Sequence, residues 1–277
     1  MTREMETHLE PVLAKLERAR KHSLELTASI ASWASSTPIE ARCELRYRRL
    51  GYRLIQLDYA TPPPLTEWGL QLGDYAHNVR SSLDNLAYAL ARLRRDPPDR
   101  PNAIAFPIFR DASKFQQNGR RSIDQLPKDA ADVIERIQPF QRSGRPAEGT
   151  ADQDPLLFLQ ELNNSDKHRV PSVVLLAPKN LEHQHEVEFQ SEEDAEQNGP
   201  PDVTAWSGPL KPGTVLFELR TKHPVARVNG RTEIRAVVAV EVLNKPFPLD
   251  FLVAALGTYT SMVLDEFRRF FVEAGGG

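Results

Sequence analysis

The spacing of apolar residues changes along this chain, and that change limits the fold more than any other feature. Over residues 3–35 apolar side chains recur every three or four positions among charged neighbours, which indicates a long amphipathic helix. Over residues 38–60 the period is two, with a turn at Gly51, which predicts a hairpin of two half-buried strands. A chain with both periods needs both helices and sheet.

The same two patterns continue through the rest of the chain. They predict helices at 67–95, 127–138, 154–169 and 249–272, and strands near 172–177, 185–189, 203–206, 214–220 and 233–243. Because a lone hairpin is marginal in water, we expect the first hairpin to join the later strands. We therefore predict one α+β domain over 1–277, in which an antiparallel sheet of the N-terminal hairpin and C-terminal strands packs against several helices. The N- and C-terminal helices are long, and the acidic segment 191–201 is predicted to be a mobile surface loop.

Composition narrows the class of protein. The net charge of -3 gives no basic footprint for duplex DNA, and 40% hydrophobic residues indicate a folded, soluble chain. No segment has the pattern of a secretory signal or a membrane span. The single cysteine, Cys43, fits a reducing compartment, so we expect a cytoplasmic protein without a membrane partner.

A first polar motif lies within the helix predicted at 67–95 and runs from His77 to Leu86. At 3.6 residues per turn, His77, Arg80, Asp84 and Tyr88 fall within an arc of about 80° beside the apolar stripe. Arg80 and Asp84 have the spacing of an i,i+4 ion pair. This arrangement predicts one line of ionisable side chains at the edge of the core.

A second polar motif, Asn163-Asn164-Ser165-Asp166-Lys167-His168-Arg169, closes the helix that begins at Asp154-Pro155. Asn163 and Asp166 continue the face of Leu159, where apolar residues are expected, so we predict that they are partly buried. A buried aspartate needs a cation or several donors, and Arg80 or His77 of the first motif are candidates. We expect the two motifs to form one composite site.

Two interpretations of this composite site remain open. In one, His77 or His168 moves protons while Arg80, Lys167 or Arg169 holds an anionic group, as phosphodiester cleavage without metal requires. Asp84, Asn163 and Asp166 would then complete the binding set. In the other, the same residues form a buried polar network that locks two helices together, and this structural or ligand-binding use is the one we favour. No dense ligand spacing is present, so we expect neither a metal nor a cofactor.

The paired motifs resemble those of a group of uncharacterised bacterial proteins of similar length, which implies a shared fold without an activity. A weaker resemblance is to HEPN domains, helical bundles of prokaryotic toxin and defence systems that cleave RNA without metal through an Arg-x4-His motif, usually as dimers. Here His77 precedes Arg80 and His168 precedes Arg169, so the order differs from that motif. The resemblance implies a metal-independent endoribonuclease that uses His77, Arg80 and His168.

Three hypotheses follow from the sequence. The first is a bacterial protein whose composite site is structural or binds a small anionic ligand, and the second is the HEPN-like ribonuclease, with RNA as its partner. The third is an assembly protein that forms a homodimer through the long N-terminal helix.

Overall fold

A computed structural model describes residues 3–144, 149–168, 170–176, 184–231 and 234–274 of the chain. Helices α1 to α7 span Arg3–Ser36, Leu65–Arg94, Ala112–Lys114, Lys128–Arg136, Pro155–His168, Glu192–Asn198 and Leu249–Ala274. Strands β1 to β9 span Ala41–Leu45, Gly51–Gln56, Val173–Leu176, Gln184–Phe189, Asp202–Ala205, Val215–Arg220, Val225–Arg231, Val237–Val242 and Lys245–Pro248. The predicted α+β class, the antiparallel pairing and the long terminal helices are confirmed.

The chain divides into two compact units, each assembled from separate stretches of sequence. Unit 1 takes Met1–Thr27, Thr66–Ser172 and Glu241–Gly277, and unit 2 takes Ala28–Leu65 and Val173–Val240. Both α1 and β8 therefore run from one unit into the other. The single α+β domain over 1–277 stays a prediction.

Unit 1 is mainly helical, and α2 is its central element. The apolar face of α2 is fully buried over most of its length, as the pattern of three- and four-residue steps predicts. Its most buried leucines are Leu72, Leu83, Leu86 and Leu90. Elsewhere in unit 1, Phe158 of α5 packs on Phe247 of β9 with their ring centres 4.8 Å apart.

Unit 2 contains most of the strands, whereas β9 belongs to unit 1. The hairpin β1–β2 pairs with β6, which pairs with β5, so the sheet order is β1-β2-β6-β5 and every pairing is antiparallel. This confirms that the hairpin joins later strands. The register places Arg53 opposite Glu218, and the two form an ion pair at 2.7 Å. Strands β4 and β7 form a separate ribbon, and β3 pairs with β8.

Two local predictions need correction. The segment 191–201, which we expected to be a loop, contains α6, because Ser191 accepts a hydrogen bond from the Asp194 amide and three acidic residues occupy the first turn. Strand β7 was not predicted, since its sequence lacks two-residue alternation and includes an Asn229-Gly230 pair that is typical of turns.

In the described part of the chain, no helix is long and apolar enough to cross a membrane.

Candidate functional site

The first polar motif lies in the middle of α2, within unit 1. Arg80 donates to Asp84 with both Nη2 and Nε, at 2.8 Å and 3.2 Å. Arg80 Nη2 also donates to the Phe106 carbonyl at 2.6 Å, and Asp84 Oδ1 accepts from the Phe106 amide at 2.9 Å. The ion pair thus forms hydrogen bonds with both the amide and the carbonyl of Phe106. We call this arrangement the Phe106 clamp: Arg80, Asp84 and the Phe106 backbone.

The Phe106 clamp holds a connector that has no regular structure of its own. Phe106 is fully buried, and it lies in the segment between α2 and α3, where no neighbouring strand satisfies its amide and carbonyl. Backbone groups in such a position must be paired, because a buried unpaired group costs about 1–3 kcal/mol. Arg80 and Asp84 therefore fasten the connector to α2.

Most other polar side chains of the first motif are also used within the protein. Asn78 donates to the Asp74 carbonyl at 2.8 Å, and Ser82 donates to the Val79 carbonyl at 2.7 Å. His77 differs, since its ring is exposed and its Nε2 lies 3.5 Å from Ser81 Oγ. Of the predicted catalytic residues in this motif, Arg80 has a structural partner and His77 faces solvent.

The second motif closes α5, and the structure describes only part of it. Asn163 is buried, with 5% of its surface exposed, as its position on the Leu159 face predicts. Its side-chain Oδ1 has no hydrogen-bond partner among the described residues. The side chains of Asp166, Lys167 and His168, and the whole of Arg169, lie outside the described residues. The meeting of the two motifs therefore stays a prediction.

The start of α5 contains a buried ion pair. Asp154 caps the helix, as its position before Pro155 predicts, and its Oδ1 accepts from the Leu156 amide at 2.9 Å. Its other oxygen accepts from Arg142, a partner that the sequence pattern did not indicate. Burial raises the pKa of the Asp154 carboxyl, and the hydrogen bond from Arg142 opposes that shift.

A pocket lined by basic residues was not predicted from the sequence. It measures about 550 Å³, and we call it the arginine pocket; it is lined by Arg94, Arg120, Arg121, Ile123, Asp124, Leu126, Pro127, Lys128 and Ala131. All of these residues belong to unit 1. Their cations come from three separate places in the chain, so no local motif marks them. The Arg120-Arg121 pair shortly before a helix start is the one signal that sequence reasoning had available.

The charges of the arginine pocket are unevenly neutralised. Asp124 pairs with Arg100, and Arg120 pairs with Glu135. Arg121 and Lys128 are exposed and have no acidic partner among the described residues. Arg94 donates to the Asp124 carbonyl at 3.0 Å, so Arg121 and Lys128 are the two lining cations that remain available to a ligand.

The first turn of α4 also borders the arginine pocket. Pro127 occupies the N-cap position of α4, and no side chain caps that end. The first amides of a helix have no acceptor inside the helix, and its dipole favours an anion at that end. The pocket thus combines cations, a helix start without a side-chain cap and a few apolar residues, among them Pro127 and the almost fully buried Ile123 and Leu126.

No group of three or more histidine, cysteine, aspartate or glutamate side chains able to hold a metal ion occurs in the described ranges. Comparison of the chain with known protein families, with curated proteins and with solved structures found no match.

Proposed function

We propose that this chain is a ligand-binding protein in which the first polar motif is structural and the arginine pocket holds an organic phosphate. The observation that carries the structural part is the Phe106 clamp, in which Arg80 and Asp84 are both engaged by one buried backbone unit. A guanidinium that already donates to these groups is poorly placed to bind the phosphate of a substrate. This interpretation agrees with the structural or ligand-binding use that we favoured for the motif, and a cytoplasmic bacterial protein stays our prediction.

The ligand class is argued from the arginine pocket. Arg121, Lys128 and the uncapped first turn of α4 offer donors to an anion, which a phosphate group accepts with several oxygens. Pro127 is half-buried and gives the pocket an apolar surface, while Ile123 and Leu126, which also line it, are almost fully buried. A phosphate ester with a planar or apolar group matches both parts of the pocket.

Binding can be measured by isothermal titration calorimetry with inorganic pyrophosphate, adenosine diphosphate and a short single-stranded RNA as separate probes. Each charge-assisted hydrogen bond is worth about 1.5–3 kcal/mol, so Arg121→Ala with Lys128→Ala should weaken binding at least tenfold. The matched control, Arg268→Ala with Arg269→Ala, removes the same charge from exposed positions of α7. Equal binding by both double variants, or no binding of any probe, would contradict the proposal.

The ribonuclease stays the second candidate, and one observation favours it: His77 is the motif's ionisable side chain that the scaffold leaves exposed. Purified wild type, His77→Ala and His168→Ala should be incubated with a mixed RNA pool without added metal. Cleavage that is lost in a variant with an unchanged melting temperature would support catalysis. Absence of cleavage by the wild type would exclude it under those conditions.

A further inference from the structure

A groove in unit 1 lies between α1 and α7, with α2 below them. It measures about 740 Å³ and is lined mainly by aliphatic and small side chains, among them Leu13, Leu16, Ala19, Val79, Ala254 and Gly257. At its floor the Tyr75 hydroxyl already donates to the Val253 carbonyl at 2.9 Å. The floor therefore offers little to a polar ligand and is suited to the side chains of a helix.

Helix α1 carries a stripe of four exposed residues beside this groove, and three of them, Leu13, Glu17 and Arg20, also line it. The two apolar members, Leu13 and Leu24, are 42% and 54% exposed, and the two charged members, Glu17 and Arg20, lie between them. Steps of four, three and four residues keep all four within about 60° of one another on the helix surface. We call this set the α1 stripe. It joins exposed leucines into one line instead of scattering them.

The order of residues in the α1 stripe complements itself when the helix is reversed. Rotation by a two-fold axis between residues 18 and 19 places Leu13 of one copy opposite Leu24 of the other, and Glu17 opposite Arg20. A parallel pairing would instead place Glu17 against Glu17 and Arg20 against Arg20. Like charges at such positions repel, whereas opposite charges select a partner and its direction. The stripe is thus complementary to itself in the antiparallel orientation and not in the parallel one.

The existing ion pair is compatible with this arrangement. Glu17 and Arg20 already form two hydrogen bonds of 2.8 Å within the helix, which holds both side chains in place. At the two-fold axis, two such pairs would form a ring of alternating charges, so that neither copy needs to give up its own bonds. An isologous contact of this kind closes at two copies.

We propose that the chain forms a homodimer in which the α1 stripe packs antiparallel against that of a second copy, at the mouth of the α1–α7 groove. On α7, Phe251 and Met262 are more than half exposed, and a separation of eleven residues places them on one face of that helix. This proposal is independent of the arginine pocket.

Mass in solution gives the first test, by light scattering coupled to size exclusion at about 100 µM protein. The wild type is expected at twice 31.3 kDa. Leu24→Glu should yield monomer, with at least tenfold weaker association and an unchanged circular dichroism spectrum. Arg18→Glu, which alters an exposed charge about 140° around α1 from Leu13, is the matched control and should remain dimeric. A monomeric wild type, or a Leu24→Glu variant that stays dimeric, would overturn the proposal.

Charge exchange separates a broken interface from a broken fold. Glu17→Arg alone places four cations at the axis and should dissociate the dimer, and Arg20→Glu alone should do the same with four anions. The double variant, Glu17→Arg with Arg20→Glu, restores the alternation and should recover the dimer. A double variant that is as weak as either single one would refute the antiparallel register.

Disulfide formation reports the orientation directly. In a Cys43→Ser background, a Leu13→Cys chain mixed with a Leu24→Cys chain should give mainly the mixed disulfide, because those positions face each other across the axis. Disulfides that join two Leu13→Cys chains or two Leu24→Cys chains, without the mixed product, would indicate parallel packing and contradict the proposal.

Discussion

Substitution of Asp84 by alanine tests the Phe106 clamp. The change removes the acceptor of a fully buried backbone amide at 2.9 Å and the partner of the Arg80 guanidinium. A hydrogen bond to a charged group contributes about 1.5–3 kcal/mol, and a buried donor left unpaired costs a comparable amount. We therefore expect a loss of about 2–4 kcal/mol in the free energy of unfolding.

The assay is urea unfolding followed by circular dichroism, supported by thermal melting. For a chain of this size about 1 kcal/mol corresponds to about 2–4 °C, so the melting temperature should fall by about 5–15 °C. Asp84→Asn, which keeps an acceptor oxygen, should lose less. Asp265→Ala is the matched control, because Asp265 pairs with Arg268 at 3.2 Å on the surface, where such pairs contribute about 0.2–1 kcal/mol.

The result that would refute the reasoning is an Asp84→Ala variant as stable as Asp265→Ala. It would mean that water or a small backbone shift satisfies Phe106 without the clamp. A stable Asp84→Ala variant that loses RNA cleavage or ligand binding would instead give the first polar motif a direct functional role.

Two further predictions concern unit 1. Arg142→Leu should raise the pKa of Asp154 further above its ordinary value. A carboxyl whose pKa is higher in the folded than in the unfolded protein costs stability as the pH rises from the unfolded towards the folded pKa, so the variant should lose more stability than the wild type between about pH 4 and pH 7. Carboxyl NMR titration measures the pKa, and urea unfolding at both pH values measures the stability. Gly69→Ala should lower the free energy of unfolding by about 1–3 kcal/mol, because the added Cβ would lie 2.5 Å from the Pro171 carbonyl oxygen. Gly257→Ala is the control in the same assay: its Cβ would have its nearest neighbour at 3.7 Å, so the change should be neutral or stabilising by up to about 1 kcal/mol.

Helix and strand periods were sufficient to predict most of the fold. The long apolar stripe of α2 and the alternation of the β1–β2 hairpin each reflect burial of one face, which local sequence encodes directly. Strand β7 lacks such a pattern, and its partner β4 lies about forty residues earlier in the chain. Pairing over that distance depends on the folded unit, so the local sequence did not predict it.

The candidate site was predicted in part for a similar reason. The four-residue spacing of Arg80 and Asp84 indicated an ion pair, and the structure contains it. Its third member is the backbone of Phe106, and backbone groups leave no trace in side-chain patterns. The arginine pocket was missed because its cations come from three separate elements, namely the last residue of α2, the Arg120-Arg121 turn and the first residue of α4, so no single helical or strand pattern contains them.

The interleaved division of the chain has a consequence for its synthesis on the ribosome. Unit 2 has all of its residues once the chain has reached Val240, whereas unit 1 still lacks α7 at that point. The apolar face of α2, although made early, cannot pack against α7 until that later segment has been synthesised. Chaperones that bind exposed helices should therefore engage the nascent chain chiefly through unit 1. Unit 2 should reach its native state before unit 1, although synthesis of unit 1 begins first.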